Sequence, residues 1–275
     1  ATLVFLHGFP EYWQAWQHQL NYFGINYRVI APDLPGYNLS DKPNNLDFYQ
    51  VPHLIEFISK FITMVSPEQK VHLVAHDWGG AIAWPLAAFY PQNIEKLIIL
   101  NAAHPSTFTR EMINNTEQRS KSSYIHQLID PNAEVLLKQN DYQYLSEKMV
   151  FADKSPVLSG EIKDRYINAW QQDGVITGML GYYRAMPQLA SNSKSESESA
   201  QVKHVSEIKT PNIRVHVPTL ILWGEQDEAF VVENLVGVEQ YVPNCTIKRF
   251  TDASHWLMHE KSAEINQAIE DFINT

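Results

Sequence analysis

Three residues, Asp77, Asp227 and His255, lie where a chain could present them together as nucleophile, acid and base. The first is the clearest. Val71-His72-Leu73-Val74-Ala75 is apolar and rich in β-branched residues, which reads as a buried strand, and it stops at His76-Asp77-Trp78. Gly79 and Gly80 then open a helical pattern through Ala81-Ile82-Ala83-Trp84. A strand turning sharply into a helix between small residues is the sequence form of an elbow that holds a nucleophile clear of the chain. Such elbows usually carry Ser; this one carries Asp77. The competing reading of an Asp in this place is an ordinary helix N-cap.

The residue type decides the chemistry. A carboxylate attacking an ester or amide would form an anhydride and gain little. Against an sp³ carbon bearing a leaving group it forms an ordinary ester, and an Asp with a free pKa of ~3.9 is ionised at neutral pH. That ester must then be hydrolysed, which calls for a base and a group to orient it. His255 follows a strand at 246–250 through Thr251-Asp252-Ala253-Ser254, and Asp227 follows Leu220-Ile221-Leu222-Trp223-Gly224-Glu225-Gln226. Glu225 and His259 are nearby rivals for the two roles. His255 and His259 are spaced i, i+4, but the Glu that follows the first His in zincins is absent, so no metal is expected.

Those residues need a frame. Apolar strand patterns at 2–6, 28–31, 71–75, 96–100, 218–223 and 246–250 alternate with helical patterns at 11–22, 51–64, 78–89, 231–241 and 262–273. Such alternation predicts βαβ units and a mostly parallel sheet flanked by helices. The stretch 105–214 breaks the rhythm; it is helical in pattern, rich in Tyr, Gln, Asn and Met, and shows no convincing strand. It reads as an inserted helical cap over 105–212, between core segments 1–104 and 213–275. The polar, Ser-rich run 191–199 cannot bury apolar area and reads as a mobile loop.

Composition narrows the partners. At 275 residues and 44% apolar content the chain can bury a large core. A net charge of −10 without a basic run excludes a phosphate-backbone binder, so no nucleic acid is expected. No apolar stretch approaches the ~20 residues that span a bilayer. A single cysteine, Cys245, fits a cytoplasmic location. Because the chain starts inside a strand, a missing leader or further strands, and with them a secreted or periplasmic location, stay open. Monomer and homodimer are both compatible with these features.

The order Asp77, Asp227, His255 at three strand ends resembles the α/β-hydrolase fold. His7-Gly8-Phe9-Pro10-Glu11, His76-Asp77-Trp78-Gly79-Gly80 and Ser254-His255-Trp256 resemble the signature loops of its soluble epoxide hydrolase branch, a neighbour of the haloalkane dehalogenases. The likeness runs through nearly the whole chain from Thr2, with Ala75 standing where the elbow commonly has Gly. Ser123-Tyr124 before Asp130-Pro131, and Gly181-Tyr182-Tyr183-Arg184, resemble the places where that branch keeps two lid tyrosines. The resemblance implies a cofactor-independent hydrolase that turns a small apolar epoxide into a diol. Asp77 would form an alkyl ester, and His255 with Asp227 would activate the water that cleaves it. Backbone N–H groups of Phe9 and Trp78 would hold the oxyanion, with His7, Gly8, Pro10 and His76 as supports. Tyr124 and Tyr183 would protonate the epoxide oxygen, although Tyr182 beside Tyr183 could be the one that faces the pocket.

Two other functions fit the same pattern. A haloalkane dehalogenase would use the same three residues, with the Trp78 indole left to bind halide; Phe9 stands where that family usually has a halide-binding Asn or Trp. Haloacetate dehalogenases carry arginines after the nucleophile, where this chain has Trp78 and Ala81. A non-catalytic binding or signalling protein on the same fold is the third reading.

Overall fold

A computed structural model describes residues 1–186 and 209–275; the Ser-rich run 191–199 lies outside the described residues. Six strands, β1 (Thr2–Leu6), β2 (Arg28–Ile30), β3 (Val71–His76), β4 (Ile94–Leu100), β5 (Thr219–Gly224) and β6 (Cys245–Phe250), form one sheet in the order β2-β1-β3-β4-β5-β6. Every neighbouring pair is parallel. β1, β3 and β5 are buried along their whole length, as near-continuous apolar strands covered on both faces should be, whereas β2 and β6 form the more exposed edges.

Alternation along the strands divides the core. Val4, Leu6, Leu73, Ala75, Leu97 and Ile99 face one side, where α2 (Val51–Val65) and α3 (Trp78–Phe89) pack. α2 meets them with Leu54, Ile55, Ile58 and Ile62, the stripe that helical spacing puts on one face. Leu3, Phe5, Val74, Ile98 and Leu100 face the other side, against α1 (Gln17–Phe23) and a C-terminal helix at Ser262–Ile273.

Between β4 and β5 the chain runs through α4 (Pro105–Asn114), α5 (Thr116–Lys121), α6 (Tyr124–Ile129), α7 (Ala133–Lys148), α8 (Gly160–Trp170) and α9 (Val175–Arg184). Among the described residues of this segment the only β pairing is an isolated bridge, Val150 to Pro156. α7 is interrupted where Asn140, Asp141 and Tyr142 take left-handed φ values of 49°, 52° and 60°. After β6 come α10 (Leu257–Glu260) and α11 (Ser262–Ile273).

Two expected helices differ. The pattern at 11–22 begins with a 3₁₀ turn at Trp13–Trp16 before α1, leaving Glu11 outside it and buried beneath the strand ends. The pattern at 231–241 is two short 3₁₀ turns, Val232–Leu235 and Val238–Gln240. Gly237, at φ 73°, takes the left-handed conformation that splits them.

The parallel sheet sends the loops after β1, β3, β5 and β6 out of one edge, at the carboxyl ends of the strands. β1 and β3 are adjacent although their following connections diverge, so a crevice opens between their loops. α3 must lie very close to β1 and β4 to point its first turn there. A Cβ on Gly79 would come within 2.3 Å of the Leu6 carbonyl oxygen, and one on Gly80 within 2.2 Å of Ala102 Cβ. Gly80→Ala is therefore expected to destabilise the fold by about 1–3 kcal/mol through overpacking. A lowered urea midpoint would register it; an unchanged midpoint would mean α3 can move off the sheet freely.

Candidate active site

Asp77 joins β3 to α3 with φ 49° and ψ −118°, a backbone conformation that residues with a Cβ rarely adopt. Its surroundings leave little alternative. A Cβ on Gly8 would fall 2.3 Å from Asp77 Cβ, so only glycine lets the loop after β1 cross so near the elbow. The Asp77 side chain makes no capping bond to α3, so the N-cap reading does not describe it. Instead Oδ1 accepts the Phe9 N–H at 2.7 Å, and Oδ2 lies 3.6 Å from His255 Nε2. Trp78 is the first residue of α3, at the helix end whose free N–H groups favour negative charge.

His255 bridges two carboxylates. Its Nδ1–H donates to Asp227 Oδ2 at 2.7 Å. Asp227 is fully occupied: Oδ2 also accepts Asn101 Nδ2 at 2.6 Å, and Oδ1 accepts the N–H groups of Ala229 and Phe230 at 2.6 and 2.9 Å. Asp77, with one N–H and one longer ionic contact, keeps lone pairs available; Asp227 does not. The rivals are engaged elsewhere. Glu225 pairs with Arg249 at 2.6 Å, and His259 Nε2 lies 2.7 Å from Glu11 Oε1. His255 and His259 therefore diverge, and no cluster of three metal-ligating side chains occurs among the described residues.

The electrostatics follow from burial. Desolvation opposes the His255 imidazolium, but the charge of Asp227 and its hydrogen bond, then Asp77, push its pKa up to about 10. Burial works to raise the Asp77 and Asp227 carboxyls, and His255 overrides it, so both lie below the ordinary Asp value. His76 behaves oppositely. Burial, then repulsion from His255, drives it down to about 3, so it is neutral and its Nε2–H donates to the His255 carbonyl at 2.9 Å. His7 is lowered mainly by burial; its Nε2 accepts the Leu34 N–H at 2.9 Å while Nδ1–H donates to the Gly8 carbonyl at 3.0 Å, which braces the loop after β1. Pro10 follows a cis peptide bond, and its carbonyl accepts Trp170 Nε1 from α8 at 2.7 Å.

Facing the elbow are the two tyrosines. Tyr183 is 3% exposed, and the Phe9 and Trp78 rings meet it edge-on at centroid distances of 5.1 and 5.2 Å. Tyr182 points away: its O–H donates to the Pro35 carbonyl at 2.8 Å, and its ring packs on Tyr37 and Tyr49. Successive residues on α9 point about 100° apart, and it is Tyr183 that lines the pocket. Tyr124 starts α6, 6.2 Å from Tyr183 between ring centroids. Burial raises both phenols; the negative charge of Asp77 adds to the rise at Tyr124, and Tyr124 and then Asp77 add to it at Tyr183.

Two cavities, of about 440 and 400 Å³, meet here. Asp77, Tyr124, Tyr183 and Ala229 line both. His255 lines the first, and Trp78 and Phe230 the second.

Three buried groups escaped the sequence reading. Asn101 has φ 33° and clamps two strand ends, its Nδ2 donating to the Gly224 carbonyl and its Oδ1 accepting the Gly224 N–H, besides holding Asp227. A polar residue directly after the apolar β4 was the available signal. Glu11, 1% exposed, accepts from Tyr166 at 2.9 Å and lies 3.6 Å from His76 Nδ1. Gln118 on α5 accepts the Val231 N–H and donates to the Ala229 carbonyl, which fastens α5 to the loop carrying Asp227. Nothing in its sequence neighbourhood signals that role.

Comparison with known proteins places this geometry. A family model described as the alpha/beta hydrolase fold matches residues 1–262. The AB hydrolase superfamily protein YfhM of Bacillus subtilis is 37% identical, over 98% of this chain and 89% of its own length. Epoxide hydrolase 4 of Mus musculus is 33% identical, over 98% of this chain and 72% of its own. Among solved structures, an epoxide hydrolase from Bacillus megaterium in complex with an inhibitor has a TM-score of 0.85 at 35% identity, covering 100% of this chain and 93% of that one. Potato epoxide hydrolase I has a TM-score of 0.76 at 26% identity, covering 99% and 92%.

The raised pKa of His255 makes a stability prediction. A folded-state pKa near 10 against an ordinary 6.5 stabilises the fold fully below about pH 6.5, and the contribution fades as pH rises through 10. The Tm advantage of wild type over His255→Gln should therefore shrink steadily between pH 6.5 and 10. An advantage that grows across that window would mean His255 is buried neutral.

Proposed function

The chain belongs to the epoxide hydrolase branch of the α/β-hydrolase fold family, and from that premise we propose that it adds water to an epoxide through a covalent ester on Asp77. One observation carries this reading: an under-bonded, ionised carboxylate and two protonated phenols border the same cavities. The helices between Pro105 and Arg184 would serve as the cap that supplies the phenols.

The leaving group explains the phenols. Ring opening produces an alkoxide, which is too basic to depart unaided. A phenol with an ordinary pKa of ~10, raised further here, stays protonated and can donate. Asp77 attacks the epoxide carbon in line, the C–O bond breaks, and Tyr124 or Tyr183 gives its proton to the oxygen. The products are an alkyl ester and a tyrosinate. Loss of the Asp77 charge removes part of what holds the His255 proton, so that proton can pass to the tyrosinate. His255 is then neutral and able to act as base.

In the second step His255 takes a proton from water, and the hydroxide attacks the Asp77 carbonyl. The oxyanion forms beside the Phe9 N–H, which already binds Oδ1, and beside the Trp78 N–H at the start of α3. Collapse releases the diol, which takes the carboxylic proton. Asp77 returns as carboxylate, His255 as imidazolium and both tyrosines as phenols, so the cycle balances without a cofactor.

The dehalogenase reading lacks a second halide donor: Phe9 stands where that family usually has an Asn or Trp, which leaves the Trp78 indole alone. Incubation with styrene oxide should yield diol, while 1-bromobutane should release no bromide; the reverse result would assign a dehalogenase. His255→Gln should accumulate protein plus one substrate mass in intact-mass spectra after styrene oxide, and Asp77→Ala should not. Absence of the adduct from a variant whose wild-type parent turns over would overturn the two-step scheme. Loss of both phenols in Tyr124→Phe/Tyr183→Phe should cost about 10²–10⁴-fold in kcat, the usual contribution of a general acid.

A further inference from the structure

The Phe9 N–H that binds Asp77 Oδ1 is one end of a peptide group whose other end, the Gly8 carbonyl, is held from within the core. That carbonyl accepts His7 Nδ1–H and the Glu11 N–H, both at 3.0 Å. Downstream of Phe9 the loop offers less to hold it by, because Pro10 has no N–H to donate. Its carbonyl is anchored instead by an indole from the helical segment, Trp170 Nε1 at 2.7 Å. One turn earlier on α8, Tyr166 donates to Glu11 Oε1 at 2.9 Å, and its ring meets that of Tyr12 edge-on at 5.0 Å. Two residues spaced i, i+4 on one helix therefore grip the segment that follows Phe9.

A buried indole needs an acceptor, and that need alone is a reason for such a bond. It is not a sufficient one in this protein. Trp16 and Trp223 are at least as buried as Trp170 and have no hydrogen-bond acceptor among the described residues. What sets Trp170 apart is the group it binds, a carbonyl on the residue next to the N–H that touches Asp77.

The charge on Oδ1 shows which step that N–H serves. In the free enzyme Oδ1 shares the charge of the carboxylate. When Oδ2 attacks the epoxide carbon, Oδ1 becomes the carbonyl oxygen of a neutral ester, and its bond from Phe9 weakens. When water then adds to the ester, Oδ1 takes a full negative charge, and the bond strengthens. Only an interaction that is stronger in the transition state than in the ground state accelerates a step. The Phe9 N–H thus speeds hydrolysis of the ester and brings nothing to its formation.

We propose that Trp170 is a positioning residue for the second step: its indole N–H fixes the Pro10 carbonyl and so keeps the Phe9 N–H aimed at the oxygen that becomes the oxyanion. The helical segment then serves both half-reactions, with Tyr124 and Tyr183 for ring opening and α8 for ester hydrolysis. This inference rests on the two-step scheme above and adds a residue outside it.

The test follows the Asp77 ester by rapid-quench intact-mass spectrometry after enzyme is mixed with styrene oxide. In Trp170→Phe, which keeps an aromatic ring and loses the N–H, the adduct should form at the wild-type rate and decay about tenfold more slowly, less than the ~10²–10³ lost when an oxyanion donor is removed outright. The ester should therefore accumulate with His255 intact, and kcat and KM should fall together. Trp170→3-benzothienylalanine, which puts sulfur in place of the N–H in a ring of the same shape, should do the same without opening a cavity. Ile167→Ala, on the same helix and partly buried, is the packing control; it should lower Tm and leave the ratio of the two rates unchanged. Wild-type decay in the benzothienyl variant, or an equal loss in formation and decay, overturns the role of Trp170. The wild-type protein separates the two levels. Failure to make diol from styrene oxide sinks the two-step scheme and this inference with it, whereas turnover by wild type with unchanged decay in the variant sinks the positioning role alone.

Discussion

The arrangement depends on one imidazolium shared by two buried carboxylates. Burying a charge is costly unless it is paired and hydrogen-bonded, and Asp227, at 1% exposure, has no water to solvate it. His255 at 2.7 Å and three N–H donors replace that water. What remains of the His255 charge reaches Asp77 at 3.6 Å, close enough to keep it ionised but too far to occupy its lone pairs. In the proposed reaction this asymmetry would divide the labour between two residues of the same type: the saturated carboxylate would orient His255 and the unsaturated one would attack.

Holding that balance takes structure on both sides of the sheet edge. Below the site, neutral His76 ties to the His255 backbone, and Asn101 locks the end of β4 to the end of β5. Above it, Gln118 and Lys121 fasten α5 to the loop that carries Asp227. Arg184, next to Tyr183, makes a bidentate pair with Glu134 at 2.6 and 2.8 Å and also reaches the Asp130 carbonyl. That clamp joins the helix ending at Tyr183-Arg184 to α7 and to the end of the helix that begins with Tyr124. The relative position of the two phenols is therefore set by a fork of hydrogen bonds rather than by loop geometry.

Much of this was readable in one dimension because it is local. The elbow announces itself: a buried strand, a polar break and two glycines are consecutive residues, and the same holds for the strand ends leading to Asp227 and His255. Strands with near-continuous apolar runs could be placed to within a residue or two. Irregular turns were harder. The pattern at 231–241 has helical spacing, yet Gly237 converts it into two 3₁₀ turns, because neighbouring packing rather than periodicity selects its left-handed φ.

Residue types and their order along the chain pointed to a carboxylate nucleophile acting on carbon that bears a leaving group, with epoxide hydrolase, dehalogenase and non-catalytic readings all open. Which of two adjacent tyrosines faces that tip, which of two histidines and which of two acids take part, and the existence of Asn101, Glu11 and Gln118 as supports were decided by the fold. The physical reason is distance. A side chain's partner in these cases lies between 24 and 248 positions away, as with Arg249 for Glu225 and Glu11 for His259, and hydrogen-bond geometry across such separations leaves no periodic trace in the chain.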